Sequence, residues 1–318
     1  MTNKGEFEYI DLIRKQFDVP AGMLGIGDDC AIIPGGGAEL IYTTDMLIEG
    51  IHFLRNVSQP EDIGWKSLAV NLSDIAAMGG TPIATFLSIA LPEDAQGEWA
   101  ERFIAGYSDL SRMLNVPLLG GDTTSSLSDI AINVGVLGHS PDGKSVKRST
   151  AAIGDGIYVT GNLGDSAGGL QAILNGYEMT PEITSLIHSH YRPIPRLEEG
   201  AALRKTGLLG AMMDISDGIA SDLGHILKAS GVGAQVSLNK IPISDNLKLL
   251  CRNLGNNAYE FAIGGGEDYE LLFTAPPCIE NLLEFPVYHI GEIVPGNSIT
   301  WIENGISVDL NINGYRHF

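Results

Sequence analysis

Asn71-Leu-Ser-Asp-Ile-Ala-Ala-Met-Gly-Gly80 reads as the last turns of a helix. Leu68, Leu72, Ile75 and Ala76 recur at helical spacing and form one apolar face. Gly79, Gly80 and Pro82 stop the helix. The opposite face carries Ser67, Asn71 and Asp74 at i, i+4 and i+7, a single stripe. The stripe is narrow: Val70, Ala77 and Met78 border it, and no Glu, Lys or Arg follows Lys66 before the helix ends. A helix lying in water normally carries more charge. Two readings stand. The stripe is short and solvated, or the helix is largely buried and aims one carboxylate at something cationic, because a buried, unpaired carboxylate is too costly.

The 318 residues favour two domains or one large one, and 44% hydrophobic content is ordinary for a globular chain. No apolar run approaches the roughly 20 residues of a membrane span. Met1-Thr-Asn-Lys-Gly-Glu lacks the apolar core of a signal peptide. Cys30, Cys251 and Cys278 are odd in number and far apart, so neither a disulfide framework nor a CxxC pair is expected. A cytoplasmic location is the expectation. The net charge of −20 argues against a broad basic face for nucleic acid or anionic membrane. It leaves phosphate ligands open, provided that metal ions stand between the two sets of charge.

Outward from the helix, the chain alternates strands and helices. An amphipathic helix is expected over 6–17, with Phe7, Ile10, Ile13 and Phe17 on one face. Leu24-Gly-Ile-Gly-Asp-Asp-Cys-Ala-Ile-Ile33 is a flexible loop with two acids running into a strand. Leu40-Ile-Tyr-Thr-Thr-Asp45 is a strand ending on an acid, and the opening helix spans about 61–79. A strand over 82–91, a helix marked by Trp99, Phe103, Leu110 and Met113, and strands over 116–122 and 130–137 follow. A turn-rich connection over 140–156 separates this half from strand 157–160 and helices near 165–175, 181–190 and 196–206. The strand ending in Asp214, a helix over 218–230 and strands near 234–238, 269–275, 286–293 and 306–310 complete the pattern. The class is α/β or α+β, in two domains over 1–145 and 146–318. His188 and His190 read as surface residues, and no histidine spacing suggests zinc.

Gly138-His-Ser-Pro-Asp-Gly-Lys-Ser145 fits the letter of the P-loop pattern. A P-loop needs a helix immediately after it, because the phosphates rest on that helix N-terminus. The following 146–154 has no amphipathic face, and Ser140-Pro-Asp-Gly143 is a turn sequence. The expectation is a β-hairpin and no Walker loop.

Asp28, Asp29, Asp45, Asp74, Asp122, Asp214 and Asp217 share one local grammar: an apolar element delivers an acid beside glycine or a hydroxyl. Element ends are where chains place chemistry. Taken singly, each reads equally as a cap or a turn residue. Converging acids cannot all ionise without cations, and hard oxygen ligands suit Mg²⁺ together with phosphates.

Gly25-Ile-Gly-Asp-Asp-Cys-Ala31, Thr43-Thr-Asp45, Glu49-Gly-Ile-His-Phe53, the helix end at 71–79, Gly120-Gly-Asp-Thr-Thr124, Asp214-Ile-Ser-Asp-Gly218 and Gly265-Gly-Glu-Asp-Tyr-Glu-Leu271 occur in that order. With the closing Gly314-Tyr-Arg-His-Phe318, the set resembles the thiamine-monophosphate kinases over nearly the whole chain. The wider group includes aminoimidazole ribonucleotide synthetase, selenophosphate synthetase and a hydrogenase-maturation dehydratase. The resemblance implies a two-domain architecture of the aminoimidazole ribonucleotide synthetase type, ATP binding without a Walker loop, and a homodimer built on the N-terminal domains. Carried over position by position, it implies magnesium ligands at Asp28, Thr43, Thr44, Asp45, Asp74, Asp122, Asp214 and Asp217. It implies ATP contacts at Gly121, Asp122, Arg148 and Ser216, and thiamine-phosphate contacts at His52, Glu267 and Tyr315. Asp29 receives no role from it.

The implied reaction is transfer from ATP to thiamine monophosphate, giving thiamine diphosphate. A phosphomonoester is already anionic near neutrality, so no general base is required. Positioning and several Mg²⁺ ions would do the work. The alternatives are another ATP-using enzyme of the same architecture, of the selenophosphate synthetase or purine cycloligase type, and a non-catalytic protein binding Mg²⁺ or nucleotide. Cys30 followed by Ala31-Ile-Ile33 reads as a strand residue rather than a reactive thiol, and the chain ends in Phe318 rather than cysteine. Both favour the kinase.

Overall fold

The computed structural model describes residues 6–16 and 18–310. Phe17, Tyr315 and the rest of the closing 311–318 segment lie outside the described residues. The first half runs α1 (Glu6–Arg14), β1 (Ala31–Gly35), β2 (Ala38–Ile48), α2 (Pro60–Ala77), β3 (Thr81–Leu91), α3 (Glu98–Met113), β4 (Leu118–Ser125) and β5 (Ala131–Ser140). The second runs β6 (Gly156–Val159), α4 (Asp165–Asn175), α5 (Pro181–Tyr191), α6 (Leu197–Thr206), β7 (Met212–Asp214), α7 (Ile219–Ser230) and β8 (Gly233–Ser237). It continues through α8 (Asp245–Leu254), α9 (Ala258–Gly264), β9 (Leu271–Ala275), β10 (Tyr288–Val294), β11 (Ile299–Glu303) and β12 (Ile306–Val308). Each half forms one mixed sheet. The first has the order β1-β2-β5-β3-β4, and the second β12-β11-β8-β10-β6-β9-β7.

α2 lies at the centre. Every residue over 63–73 is buried, which decides for the buried reading of this helix. It packs on β2 and β5 of its own sheet, on α3 beside it, and on α5, α6 and β7 of the second half. Glycine makes the crossing with α3 possible. A Cβ on Gly64 would fall 2.0 Å from the Phe103 carbonyl oxygen, and one on Gly106 would fall 1.8 Å from that of Glu61. The two backbones therefore touch where side chains normally hold helices 8–10 Å apart. Leu68, Leu72 and Ile75 join Ile41, Phe103, Leu110, Ile132, Val134 and Val136 in the first core. Ala76 and Ala77 at the helix end join Tyr158, Leu203, Met212 and Phe273 in a separate apolar cluster that links the halves.

Several expectations change. The strand carrying Asp45 continues to Ile48, and that carrying Asp122 continues to Ser125. The hairpin at 138–145 does not form. β5 pairs with β2 on one edge and β3 on the other, which leaves no edge for a returning arm. The chain instead makes one 3-10 turn at Pro141–Gly143 and crosses irregularly to β6. No helix follows the glycine-lysine pair, as the rejection of a P-loop requires. α8, α9 and β11 are additional elements. On α1, Ile10 and Ile13 are exposed among the described residues.

Candidate active site

α2 delivers Asp74 in its last turn, where no basic side chain offsets the negative end of the helix dipole. The surroundings hold it by hydrogen bonds instead. The Thr43 hydroxyl on β2 donates to Asp74 Oδ2 at 2.5 Å, and the Cys30 thiol faces the Asp74 carbonyl at 3.4 Å. One turn earlier, Asn71 Oδ1 accepts from the Asp45 backbone N–H at 2.8 Å, while its Nδ2 donates to the Ser67 carbonyl at 3.0 Å. Ser73 donates to Asp214 Oδ2, at the end of β7, at 2.6 Å. Two helical turns thus tie β2, the loop before β1 and β7 together, and both sheets contribute acids to one place.

The alternation of β2 sorts its neighbouring residues. Ile41, Thr43 and Leu47 are buried on the helix side, while Tyr42, Thr44 and Met46 are exposed. Thr44 Oγ1 accepts from Asn133 Nδ2 at 2.9 Å, which places its side chain on the face away from Asp74.

Carboxylate oxygens of Asp29, Asp74 and Asp214 lie within 4.8 Å of one another. Arg148, in the crossing connection, closes one side. Its NH2 donates to Asp29 Oδ1 at 2.6 Å, and its Nε and backbone N–H both reach Asp28 Oδ1 at 3.3 Å. Asp29 Oδ2 is buried with no protein partner. Burial pushes Asp29 up to about 8 against the pull of Arg148, with Asp214 and Asp28 adding to the rise. Burial raises Asp214 to about 6, opposed by the Ser73 hydrogen bond. Asp74 rises well above the carboxylate range through burial and then through Asp45, Asp214 and Asp29. Asp28 is raised by burial in spite of Arg148.

Asp217 follows three residues after Asp214, and its N–H donates to Asp222 Oδ2 at 3.2 Å. Asp222 is buried, and burial together with Asp217 and Asp214 pushes it well above its ordinary value. The Ser216 carbonyl accepts from the Glu267 N–H at 2.8 Å, so the two glycine-bearing turns at 214–218 and 265–269 lie against each other. His52 Nδ1 accepts from the Ile48 N–H at 3.0 Å. It lies near enough to Glu267 to interact with it electrostatically.

Gly121 and Asp122 lie elsewhere in the chain. They sit on the edge strand β4, all of whose residues are exposed, and Asp122 Oδ1 accepts from the Thr123 N–H at 2.9 Å. The register runs Asp122, Ser88, Asn133, Met46 across the sheet. Three strand spacings of about 4.8 Å separate β4 from β2.

Some residues of the cleft escaped sequence reading. Asp29, counted among the acids at element ends but given no role by the resemblance, stands among the three acids that converge. Lys66 is 3% exposed and pairs with Glu267, and His190 beside them is 4% exposed, which corrects its reading as a surface residue. α5 packs on α2 and covers that ring. The one signal was Lys66 itself, the only basic residue within α2.

Comparison with known proteins adds to the geometry. Residues 27–140 match the family described as AIR synthase related protein, N-terminal domain, and residues 152–302 match its C-terminal domain. The thiamine-monophosphate kinase of Salmonella typhimurium is 39% identical, covering 99% of this chain and 98% of that protein. That of Aquifex aeolicus is 37% identical over the same shares. The solved structure of AaThiL complexed with AMPPCP and TMP has a TM-score of 0.89 and 36% identity, covering 99% of this chain and 97% of that one.

Proposed function

The chain belongs to the thiamine-monophosphate kinases of the AIR synthase-related family, and from that membership we propose that its acidic cleft brings ATP and thiamine monophosphate together for direct phosphoryl transfer. It is a phosphotransferase with a phosphate group as acceptor. The observation that carries the mechanism is the convergence of Asp29, Asp74 and Asp214 around a buried oxygen without a protein partner. Three carboxylates that close resist ionising together unless a cation joins them. The donors are all hard oxygens, which fits Mg²⁺. Asp29, Asp74 and Asp214 would hold it, with Asp28, Thr43, Asp45 and Asp217 around them. Bound there, Mg²⁺ supplies charge neutralisation for two polyanions.

The chain's own groups do the rest. The acceptor oxygen is anionic near neutrality, so no side chain needs to remove a proton. Arg148 lies at the rim with its guanidinium held charged: burial opposes the charge, and Asp29, Asp28 and Asp214 outweigh burial. From there it can exchange its carboxylate partners for a phosphate of ATP, with Ser216 beside the same turn. His52 and Glu267 line the side offered to thiamine monophosphate. Cys30 takes no part. It is 2% exposed, and burial pushes its thiol well above the ordinary range, so a selenophosphate synthetase type of cysteine chemistry is not served here. AaThiL complexed with AMPPCP and TMP supports the pairing of ligands.

We also propose that the protein is a homodimer. Tyr42, Met46, Phe86, Leu118 and Leu119 leave an apolar surface on the first sheet and its β4 edge, the kind of area that a second copy covers.

The test is conversion of thiamine monophosphate to thiamine diphosphate with ATP and Mg²⁺, resolved by chromatography. The wild-type chain forms the diphosphate. Asp74→Asn loses turnover by about 100-fold or more and melts no lower than wild type, because the Thr43 hydroxyl still finds an acceptor. No product from the wild type, or near-normal turnover in Asp74→Asn, overturns the reading.

A further inference from the structure

Lys66 is a cation in the interior of a helix, and burying an ion pair rarely stabilises a fold more than packed apolar residues would. Its Nζ stands 2.9 Å from Glu267 Oε1 and 3.5 Å from His190 Nε2. His190 Nδ1 lies 3.4 Å from Glu267 Oε2 and 3.0 Å from Ser166 Oγ. An ammonium offers only hydrogens, so the Nε2 facing it must be the lone-pair nitrogen, and Nδ1 carries the ring hydrogen. Burial, then Lys66, hold His190 down at about 3, so the ring is neutral as this arrangement requires. The ammonium therefore meets Glu267 Oε1, while the ring N–H points to Ser166 Oγ and the ring edge flanks Glu267 Oε2 at 3.4 Å.

That carboxylate is not sealed in. The Glu267 side chain keeps 30% of its exposure, while that of Lys66 keeps 4%. Its backbone is also committed. Glu267 and Tyr269 adopt φ of 65° and 52°, the left-handed region that side chains seldom occupy. Their N–H groups are pinned to the Ser216 and Ile215 carbonyls at 2.8 and 2.9 Å. Backbone strain retained beside an open carboxylate marks a residue held for a purpose.

We propose that Lys66, assisted by His190, is a positioning residue: it keeps Glu267 ionised and turned so that its open lone pairs accept a hydrogen bond from the amino-bearing ring of thiamine monophosphate. The proposal rests on the kinase reading above. Since the ammonium already balances the charge of the carboxylate, Glu267 serves as an oriented acceptor and not as a free anion. Loss of Lys66 then weakens recognition of the thiamine end and leaves ATP, which is gripped through its phosphates, unaffected.

Initial rates of the full chain, with each substrate varied in turn, test this. Lys66→Met keeps the apolar stem and removes the charge. The KM for thiamine monophosphate rises about 10-fold or more, the KM for ATP is unchanged, and Lys66→Arg recovers part of the loss. In a Glu267→Gln background, Lys66→Met adds no further loss, because the group through which it acts is gone. That double variant carries no orphaned carboxylate, so the coupling remains measurable should Lys66→Met alone fail to fold. Equal rises in both KM values, an unchanged KM for thiamine monophosphate, or additive losses in the double variant overturn the positioning role alone. A wild-type chain that does not phosphorylate thiamine monophosphate overturns the kinase reading itself.

Discussion

Asp29, Asp74 and Asp214 share a space that their charges cannot share unaided. Their ordinary carboxyl value is near 4, and burial lifts Asp29 to about 8 and Asp214 to about 6. The sign follows directly. Between the unfolded and folded values the native state holds protons that the unfolded chain has released, so this contribution to stability is present below about pH 4 and is lost as pH rises towards 8. Mg²⁺ bound there, as proposed, would displace those protons, and its stabilisation is therefore expected to be larger at high pH. Melting curves at pH 5.5 and pH 8, with chelator and with Mg²⁺, check this. The gain in melting temperature from Mg²⁺ is expected to be clearly greater at pH 8, and a gain independent of pH contradicts the assignment. Asn71 and Ser73 carry no charge, yet they decide where the charges point, since one fixes the Asp45 backbone and the other the Asp214 carboxylate.

At the scale of elements, α2 is the part on which the site depends. It bears Lys66, Asn71, Ser73 and Asp74, and it is buried along nearly its whole length. Its position against α3 is set by backbone contact at Gly64 and Gly106, not by flexible side chains that could adapt. Gly106→Ala forces a methyl group against the Glu61 carbonyl, and overpacking of this kind costs about 1–3 kcal/mol. A urea titration is expected to show a midpoint shifted down accordingly. A midpoint equal to that of wild type removes the claim of close approach. The connection over 141–155 matters for a different reason. With both edges of β5 occupied, the chain has to leave the sheet, and this carries Arg148 over to the acids of the loop before β1.

At the scale of the whole molecule, one mixed sheet in each half supplies acids to a common cleft, and an apolar cluster containing Ala76, Ala77, Tyr158, Leu203 and Phe273 joins the halves. Among the described residues, no helix is long and apolar enough to cross a membrane. The exposed β4 and the outer face of its sheet, with Met46 55% and Leu119 66% exposed, lead to the prediction of a dimer. Light scattering is expected to give twice the mass of the chain, and Met46→Lys, which places a charge on that face, is expected to give the monomer. A monomeric wild type rules out the dimer.

Much of this protein is legible in order along its chain. Helical spacing, the double glycine and the charge-poor stripe locate α2 and single out Asp74, because periodicity and chain breaks are local properties. The order of the acidic and glycine motifs is enough to point to the family. Even α8 left a local signal, since Ser244 caps it and Leu247, Leu250 and Cys251 form its buried face. What the chain order does not contain is convergence. Asp29, Asp74 and Asp214 lie on three distant segments, and only strand order and register bring them within reach while turning Thr44 to the opposite face. Lys66, His190 and Glu267 meet because α5 and the 265–269 turn both close on α2. The hairpin reading failed for the same reason: whether a strand has a free edge is decided by its neighbours, and those neighbours are remote in sequence.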